Sequence, residues 1–173
     1  YKKPLEFQNG IGLPSSTLQN AAAYAAFANG GTYYKPNYIN KIETPDGSVK
    51  EYSSTGKQVM QSSTAYMITD MLKGSFTSPL ATGYPANIPG LYQAGKTGKN
   101  AYPDNVTKFP ANASMDSWFN GYTKHYSVSV WTGYDKAFED GHYISSASSE
   151  IAALIYKYIM LSMSEGKSNT DWT

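Results

Sequence analysis

The apolar positions of the chain change period along its length, and each change marks an element. Leu18, Ala21, Ala22, Ala25, Phe27 and Ala28 recur at helical spacing, and Asn29-Gly30-Gly31 stops the run. Ser16, with Gln19 three residues on, supplies a capping box at its start. So many alanines predict close packing against a neighbour. Tyr33 to Glu43 and Ser48 to Tyr52 read as two strands around the turn Pro45-Asp46-Gly47. A two-stranded hairpin is marginal alone, so it must lean on something. Ser62 or Ser63 caps a second helix, with Met67, Ile68, Met71 and Leu72 as its stripe, Lys73 in its last turn and Gly74 at its end. Tyr1 to Leu13, with Pro4, Gly10 and Gly12, reads as irregular, and Phe76 to Gly90 reads as a loop.

Further on the period drops to two. From Leu91 to Lys99, Tyr92, Ala94, Lys96 and Gly98 share one face; Leu91, Gln93, Gly95, Thr97 and Lys99 share the other. Asn100 to Met115 is a long polar connection, of a length that suits a functional or mobile loop, and its expected place is the rim of a cleft. Ser117 to Thr123 and Tyr126 to Tyr134 alternate as a hairpin across Lys124-His125. Trp118, Tyr122, Trp131 and Tyr134 are expected to pack across the strands. Ile151, Leu154, Ile155, Tyr158 and Ile159 give a helical face ending near Ser164, with Gly166 beyond. The sum is an α+β layout, an antiparallel sheet packed by helices.

Composition narrows the function. A chain of 173 residues, 40% hydrophobic and 14% aromatic, makes one domain or a large piece of one. Fourteen basic against 13 acidic residues gives no electrostatic case for nucleic acid. No apolar run approaches a membrane span. There is neither an initiator Met nor a signal peptide, so the chain looks cut from something longer. Without cysteine there are no disulfides, and a zinc site is disfavoured; His125 and His142 lack ligand-like spacing. No metal and no cofactor are expected. His125, in the hairpin turn, is expected to be solvated.

The candidate chemistry lies in Leu91 to Lys99, which combines a cation, a hydroxyl and two glycines on a strand. Glycines within a strand mark the close approach of another backbone or a ligand. An edge strand of this kind suits an extended, carboxylate-bearing ligand bound by strand addition. Gly90 to Thr97 also fits the P-loop pattern G-x-x-x-x-G-K-[ST]. A P-loop needs a buried strand before the first glycine and a helix after the Lys-Thr pair. Here Pro85, Asn87 and Pro89 precede it, and Gly98, Asn100 and Pro103 follow, which argues against that reading.

Lys96-Thr97-Gly98 instead matches the third signature of the penicillin-recognising serine enzymes. With it come the run Ala21 to Gly31, Ala65-Tyr66-Met67 with Asp70-Met71-Leu72, Gly121-Tyr122-Thr123, and Val130-Trp131-Thr132-Gly133-Tyr134. In that order, the set resembles the second half of the transpeptidase domain of class A (bimodular) penicillin-binding proteins of Gram-positive bacteria. The resemblance covers nearly the whole chain. Residues 1–173 are thus expected to be the C-terminal part of a transpeptidase domain, with the partial fold of penicillin-binding proteins and serine β-lactamases.

What the resemblance implies is specific. Such enzymes cross-link peptidoglycan outside the cell: a serine attacks the D-Ala-D-Ala amide of a stem peptide, and an amine from a second strand resolves the acyl-enzyme. β-Lactams acylate the same serine. Lys96 would be the catalytic cation. Thr97 and Gly98 would bind substrate, and Lys99 would offer its main-chain N–H to the oxyanion. The family usually has Thr where Lys99 stands, its hydroxyl binding the ligand carboxylate, so Lys99 is a departure that would put charge in place of that hydrogen bond. Ser54 to Lys57 and Ser164 to Lys167 fit the family's S-x-x-K pattern, but each carries a glycine where a helix is required. No S-x-N occurs, and Tyr38-Ile39-Asn40, which has the shape of a Y-x-N variant, falls in an expected strand.

The nucleophile, its lysine and the relay residues are therefore expected upstream of Tyr1, so the isolated chain should be inactive. The expected partners are that upstream segment, stem peptides and β-lactams, and not nucleic acid. The expected location is the extracellular face of the plasma membrane, through an upstream anchor. Two alternatives remain: a related acyl-serine hydrolase (a D,D-carboxypeptidase or β-lactamase), or a non-catalytic binding module of the same fold. Lys96 as an ordinary exposed strand lysine is the plainest reading of that residue.

Overall fold

The computed structural model describes residues 15–173, so the irregular stretch expected at Tyr1 to Leu13 lies outside the described residues. Three helices, α1 (Thr17–Ala28), α2 (Ser62–Lys73) and α3 (Ile151–Ser164), surround a three-stranded antiparallel sheet ordered β5 (Ala94–Ala101), β6 (Ser114–Tyr122), β7 (Ser127–Gly133). Two small ladders accompany it: β1 (Thr32–Tyr33) with β4 (Lys57–Gln58), and β2 (Lys41–Glu43) with β3 (Val49–Glu51). The fold is α+β.

The sheet is covered on both faces. Along β6, Phe119 and Gly121 face α3, where Phe119, Val130, Ala152, Ala153, Tyr156 and Met160 form one core. Tyr122 faces the other way, against Tyr24 and Phe27 of α1, with Ala94 and Trp172 beside it. The alternation expected for this strand holds. Trp118 and Trp131 are cross-strand partners with ring centroids 6.3 Å apart.

Helix α1 begins with the expected capping box: Gln19 N–H donates to Ser16 Oγ at 3.2 Å, and Ser16 N–H donates to Gln19 Oε1 at 2.9 Å. It ends where Gly30 and Gly31 take φ of 60° and 87°. Its alanines do permit close packing, since Ser127 Oγ on β7 donates to the Ala21 carbonyl at 2.7 Å. Leu18, by contrast, is exposed.

Four expectations need correction. The strand placed at Tyr33 to Glu43 is only Lys41–Glu43, with Tyr33 in a separate ladder. Pro36 has no N–H to pair, and the Asn37 side chain donates to the Tyr52 carbonyl at 3.2 Å, turning the chain between them. The turn itself is as expected: Asp46 accepts from Ser48 N–H at 3.0 Å, and the Ser48 and Thr44 hydroxyls hold its carboxyl down at about 2.

Second, α2 is capped by Gln61 without a side-chain bond, while Ser62 Oγ donates to the Gly30 carbonyl at 3.1 Å. Its buried face is Ala65 and Thr69, with Leu72 against the core; Met67 and Met71 are exposed. Thr69 sits inside because its hydroxyl pairs with that of Tyr122 at 2.8 Å. Burial pushes the Tyr122 phenol up to about 12, so it stays protonated.

Third, α2 ends at Gly74 as expected, but the stretch read as a loop from Phe76 to Gly90 is entered and interrupted by 3-10 turns, Gly74–Phe76 and Tyr84–Ala86, the first of which carries Phe76 onto Phe119. Fourth, α3 has the expected span, but the face chosen from its large aliphatics is the outer one. Ile151, Leu154, Ile155, Tyr158 and Ile159 are all exposed, and Ala152, Ala153, Tyr156 and Met160 are buried.

Candidate functional site

The site strand begins at Ala94, three residues later than its period suggests, and runs to Ala101. Leu91 to Gln93 form its entry. β5 pairs on one side only, with β6, so among the described residues it is a sheet edge. The register sets Gly95 opposite Gly121, Lys96 opposite Asn120, Thr97 opposite Phe119 and Gly98 opposite Trp118.

The expected faces hold. Ala94 lies in the Tyr122 core on one face, while on the other Gln93 accepts from the Tyr156 hydroxyl at 3.2 Å. Lys96 and Gly98 follow Ala94, and Thr97 and Lys99 follow Gln93. Gly95 is required by a neighbouring backbone, since a Cβ there would lie 2.7 Å from the Asn120 carbonyl oxygen. Gly98 is different: the nearest atom to its Cβ position belongs to the Trp118 side chain, at 3.2 Å.

Lys96 is exposed, and its ammonium bends over the strand edge. Nζ donates to Thr97 Oγ1 at 3.2 Å and sits 3.5 Å from the Thr97 carbonyl oxygen. Thr97 Oγ1 in turn lies 3.0 Å from Thr82 Oγ1 in the preceding loop. Two residues on opposite faces of the strand are thus brought together by the reach of a lysine. Among the described residues no carboxylate pairs with Lys96.

Main-chain direction follows from a second contact. Ser75 Oγ lies 2.7 Å from the Gly95 carbonyl oxygen, which therefore points away from β6. In an antiparallel ladder such outward groups recur at every second residue. The N–H and C=O of Thr97 and Lys99 consequently point outward as well, past the end of the Ser75 cover. The strand thus offers a cation, a hydroxyl and outward amides on one margin. Lys99 itself is exposed, opposite Ser117.

Other candidates are not brought to this margin as a unit. Ser54 Oγ donates to the Lys35 carbonyl in the small-ladder region, with no helix behind it. Ser164 is the last residue of α3, and Lys167 follows Gly166 at φ 70°, so the two do not share a helix face. Tyr38 to Asn40 is an exposed bend before β2, not a strand. The connection after β5 is clamped rather than free. Tyr102 stacks on Phe109 at 4.1 Å, and its hydroxyl reaches the Ala137 and His142 carbonyl oxygens at 2.7 Å. Among the described residues no three His, Asp or Glu side chains converge to hold a metal ion.

Sequence reasoning missed Ser75 and Thr82. Thr82 lies in the stretch read as a loop and Ser75 in the turn just before it, where no periodicity marks which hydroxyl meets the strand.

Comparisons with known proteins agree with this layout. Residues 4–161 match the family model of the penicillin binding protein transpeptidase domain. Penicillin-binding protein 1A of Streptococcus pneumoniae is 44% identical over 162 residues, covering 91% of this chain and 22% of that protein. Penicillin-binding protein 1A/1B of Bacillus subtilis is 36% identical over 154 residues, covering 87% of this chain and 17% of that protein. The chain thus spans about a fifth of the length of these curated relatives. Among solved structures, PonA1 of Mycobacterium tuberculosis in complex with penicillin V superposes with a TM-score of 0.74 at 27% identity, over 91% of this chain and 40% of that one. The ordered run of motifs, the α+β fold and the matched span give one conclusion: the chain belongs to the penicillin binding protein transpeptidase domain family.

Proposed function

We propose that this chain supplies the K-T-G strand of a peptidoglycan D,D-transpeptidase, an acyl-serine enzyme that cross-links cell-wall stem peptides and is acylated by β-lactams. One observation carries the reading. In a chain of this family, the edge strand holds the Lys96 ammonium on the Thr97 hydroxyl, with the amides of Thr97 and Lys99 turned outward.

Each residue has a physical role. The Lys96 charge attracts the substrate carboxylate and favours deprotonation of nearby acids and hydroxyls. The Thr97 hydroxyl donates to that carboxylate. Gly98 leaves the strand's surface open beside Lys96, so the peptide backbone can lie close. The Lys99 N–H donates to the oxyanion of the tetrahedral intermediate, where preorganised donors contribute most. The Lys99 side chain supplies charge where the family usually has a threonine hydroxyl.

The nucleophilic serine and its lysine come from sequence upstream of Tyr1. The apolar outer face of α3 supports this, because seven large apolar residues exposed on that helix, Ile151, Leu154 and Ile155 among them, make a surface of the kind a further segment of the protein covers. No helix among the described residues is long and apolar enough to cross a membrane. The protein acts at the outer face of the plasma membrane, where its substrate is, through an anchor upstream.

Labelled penicillin tests the reading. The full-length protein is expected to take one covalent label on an upstream serine within an S-x-x-K segment, and residues 1–173 alone none. An added amine acceptor is expected to divert the acyl-enzyme from hydrolysis. Failure to divert it points to a hydrolase, and absence of label points to a binding module.

A further inference from the structure

The chain after α3 has no regular secondary structure, yet Ser168 to Trp172 is fixed at four places. Ser168 presents its carbonyl and hydroxyl to His125 Nε2 at 3.0 and 2.9 Å, so that exposed histidine in the hairpin turn has a partner. Asn169 Oδ1 accepts from Tyr92 N–H at 2.9 Å, and Asn169 Nδ2 donates to the Gly90 carbonyl. Asp171 accepts from Lys73 Nζ at 2.9 and 2.7 Å. Trp172 is 9% exposed and stands edge-on to Tyr122, 5.5 Å between ring centroids, in the same cluster as Ala94.

We propose that Ser168 to Trp172 is a positioning strap for the site strand: it fixes the entry of β5 to α2 and to the end of β6, and acyl transfer depends on that fixation. The proposal rests on the function assigned to Lys96 above. The match to the family model ends at residue 161, so the strap lies outside the matched span.

The geometry shows why a strap is needed. β5 pairs with β6 only from Ala94 onward. Before that point, Gly90 to Gln93 has no strand beside it, and Gly90 turns sharply at φ 80°. The Asn169 side-chain amide brackets Leu91 as a neighbouring strand would, taking one N–H and one C=O of the entry. Trp172 then covers Ala94, which precedes Lys96 on the same face by two residues, about 7 Å along a strand. Asp171 anchors the strap to α2. Lys73 holds its carboxyl below the usual range, so the pair stays charged around neutral pH. That pair is partly exposed and contributes little by itself; the direct contacts to the entry and to Ala94 are those of Asn169 and Trp172.

The test uses the full-length protein with Asn169→Ala and Asn169→Asp, both at an exposed position. Penicillin acylation is measured against pH, with the unfolding midpoint alongside. A displaced site strand slows acylation on the order of 10- to 100-fold. Asn169→Ala is expected to show this loss in the folded protein at every pH. Asn169→Asp is expected to show it at neutral pH, where a carboxylate oxygen faces the Gly90 carbonyl. It should recover toward wild type as pH falls, because a protonated carboxyl again donates to Gly90 while accepting from Tyr92. A lowered midpoint with normal acylation by the folded protein, or no recovery of Asn169→Asp in acid, overturns the strap. Lys96→Ala separates the two claims. If it slows acylation while the Asn169 variants do not, only the strap fails; if it too is without effect, the assignment of the site fails first.

Discussion

Lys96→Ala in the full-length protein lowers the rate of penicillin acylation on the order of 10²- to 10³-fold, the loss typical of removing one preorganised charge stabiliser. The same change leaves stability within about 0.5 kcal/mol, the usual range for a surface substitution. The two halves of this result belong together. Among the described residues the Lys96 ammonium contacts only Thr97, so the fold gives up little when it goes. The Thr97 hydroxyl keeps Thr82 as a partner and stays in place. What disappears is a positive charge on the edge of the sheet. Acylation rates with increasing penicillin separate lost binding from lost chemistry. A variant that acylates as fast as wild type returns Lys96 to the status of an ordinary surface lysine.

Gly95→Ala is expected to have the largest effect on stability, a loss of about 1–3 kcal/mol or more, as overpacking typically gives. The methyl group would meet the Asn120 carbonyl oxygen at 2.7 Å, the Gly121 Cα at 3.0 Å and a ring carbon of Phe119 at 3.2 Å. Two of these are backbone and cannot rotate away. Relief requires β5 to move off β6, and Lys96 is the next residue. Denaturant unfolding is therefore expected to show a lower midpoint, and the folded fraction to acylate more slowly. Gly98→Ala is the control: its nearest neighbour is the Trp118 Cβ at 3.2 Å, with ring atoms at 3.7 and 3.9 Å, so relief takes only tenths of an ångström where Gly95 meets backbone oxygen at 2.7 Å. Equal midpoints for the two variants would remove the close β5–β6 approach from the account.

How much of this was legible beforehand depended on whether the signal was local. The α1 capping box and the Asp46 turn are side chains bonding their own main chain, and sequence shows them directly. The alternation of β6 was legible because Phe119 and Tyr122 face different cores. α3 was legible as a helix but not as a face. It carries two apolar stripes, and the sheet chooses between them. Gly121 offers no side chain there, so the Tyr156 ring fits directly against it, with Ala152 and Ala153 close by. The bulkier aliphatics are left outside. In α2, Thr69 displaced Met67 and Met71 from the interior because a buried phenol needed its hydroxyl.

The proposed site divides in the same way. Lys96, Thr97, Gly98 and Lys99 are contiguous and could be named from their order alone. Ser75, Thr82 and the strap come from segments distant in sequence, with no period to betray them. Their contribution is to the direction of the strand, which a motif does not encode.

The most direct measurement is a crystal structure of the full-length protein acylated by a penicillin. The account predicts the adduct on an upstream serine facing β5, its carboxylate at the Lys96 ammonium and Thr97 hydroxyl, and its acyl oxygen accepting from the Lys99 N–H. An adduct whose carboxylate and acyl oxygen both lie away from β5, with the Lys96 ammonium directed into solvent, would contradict it.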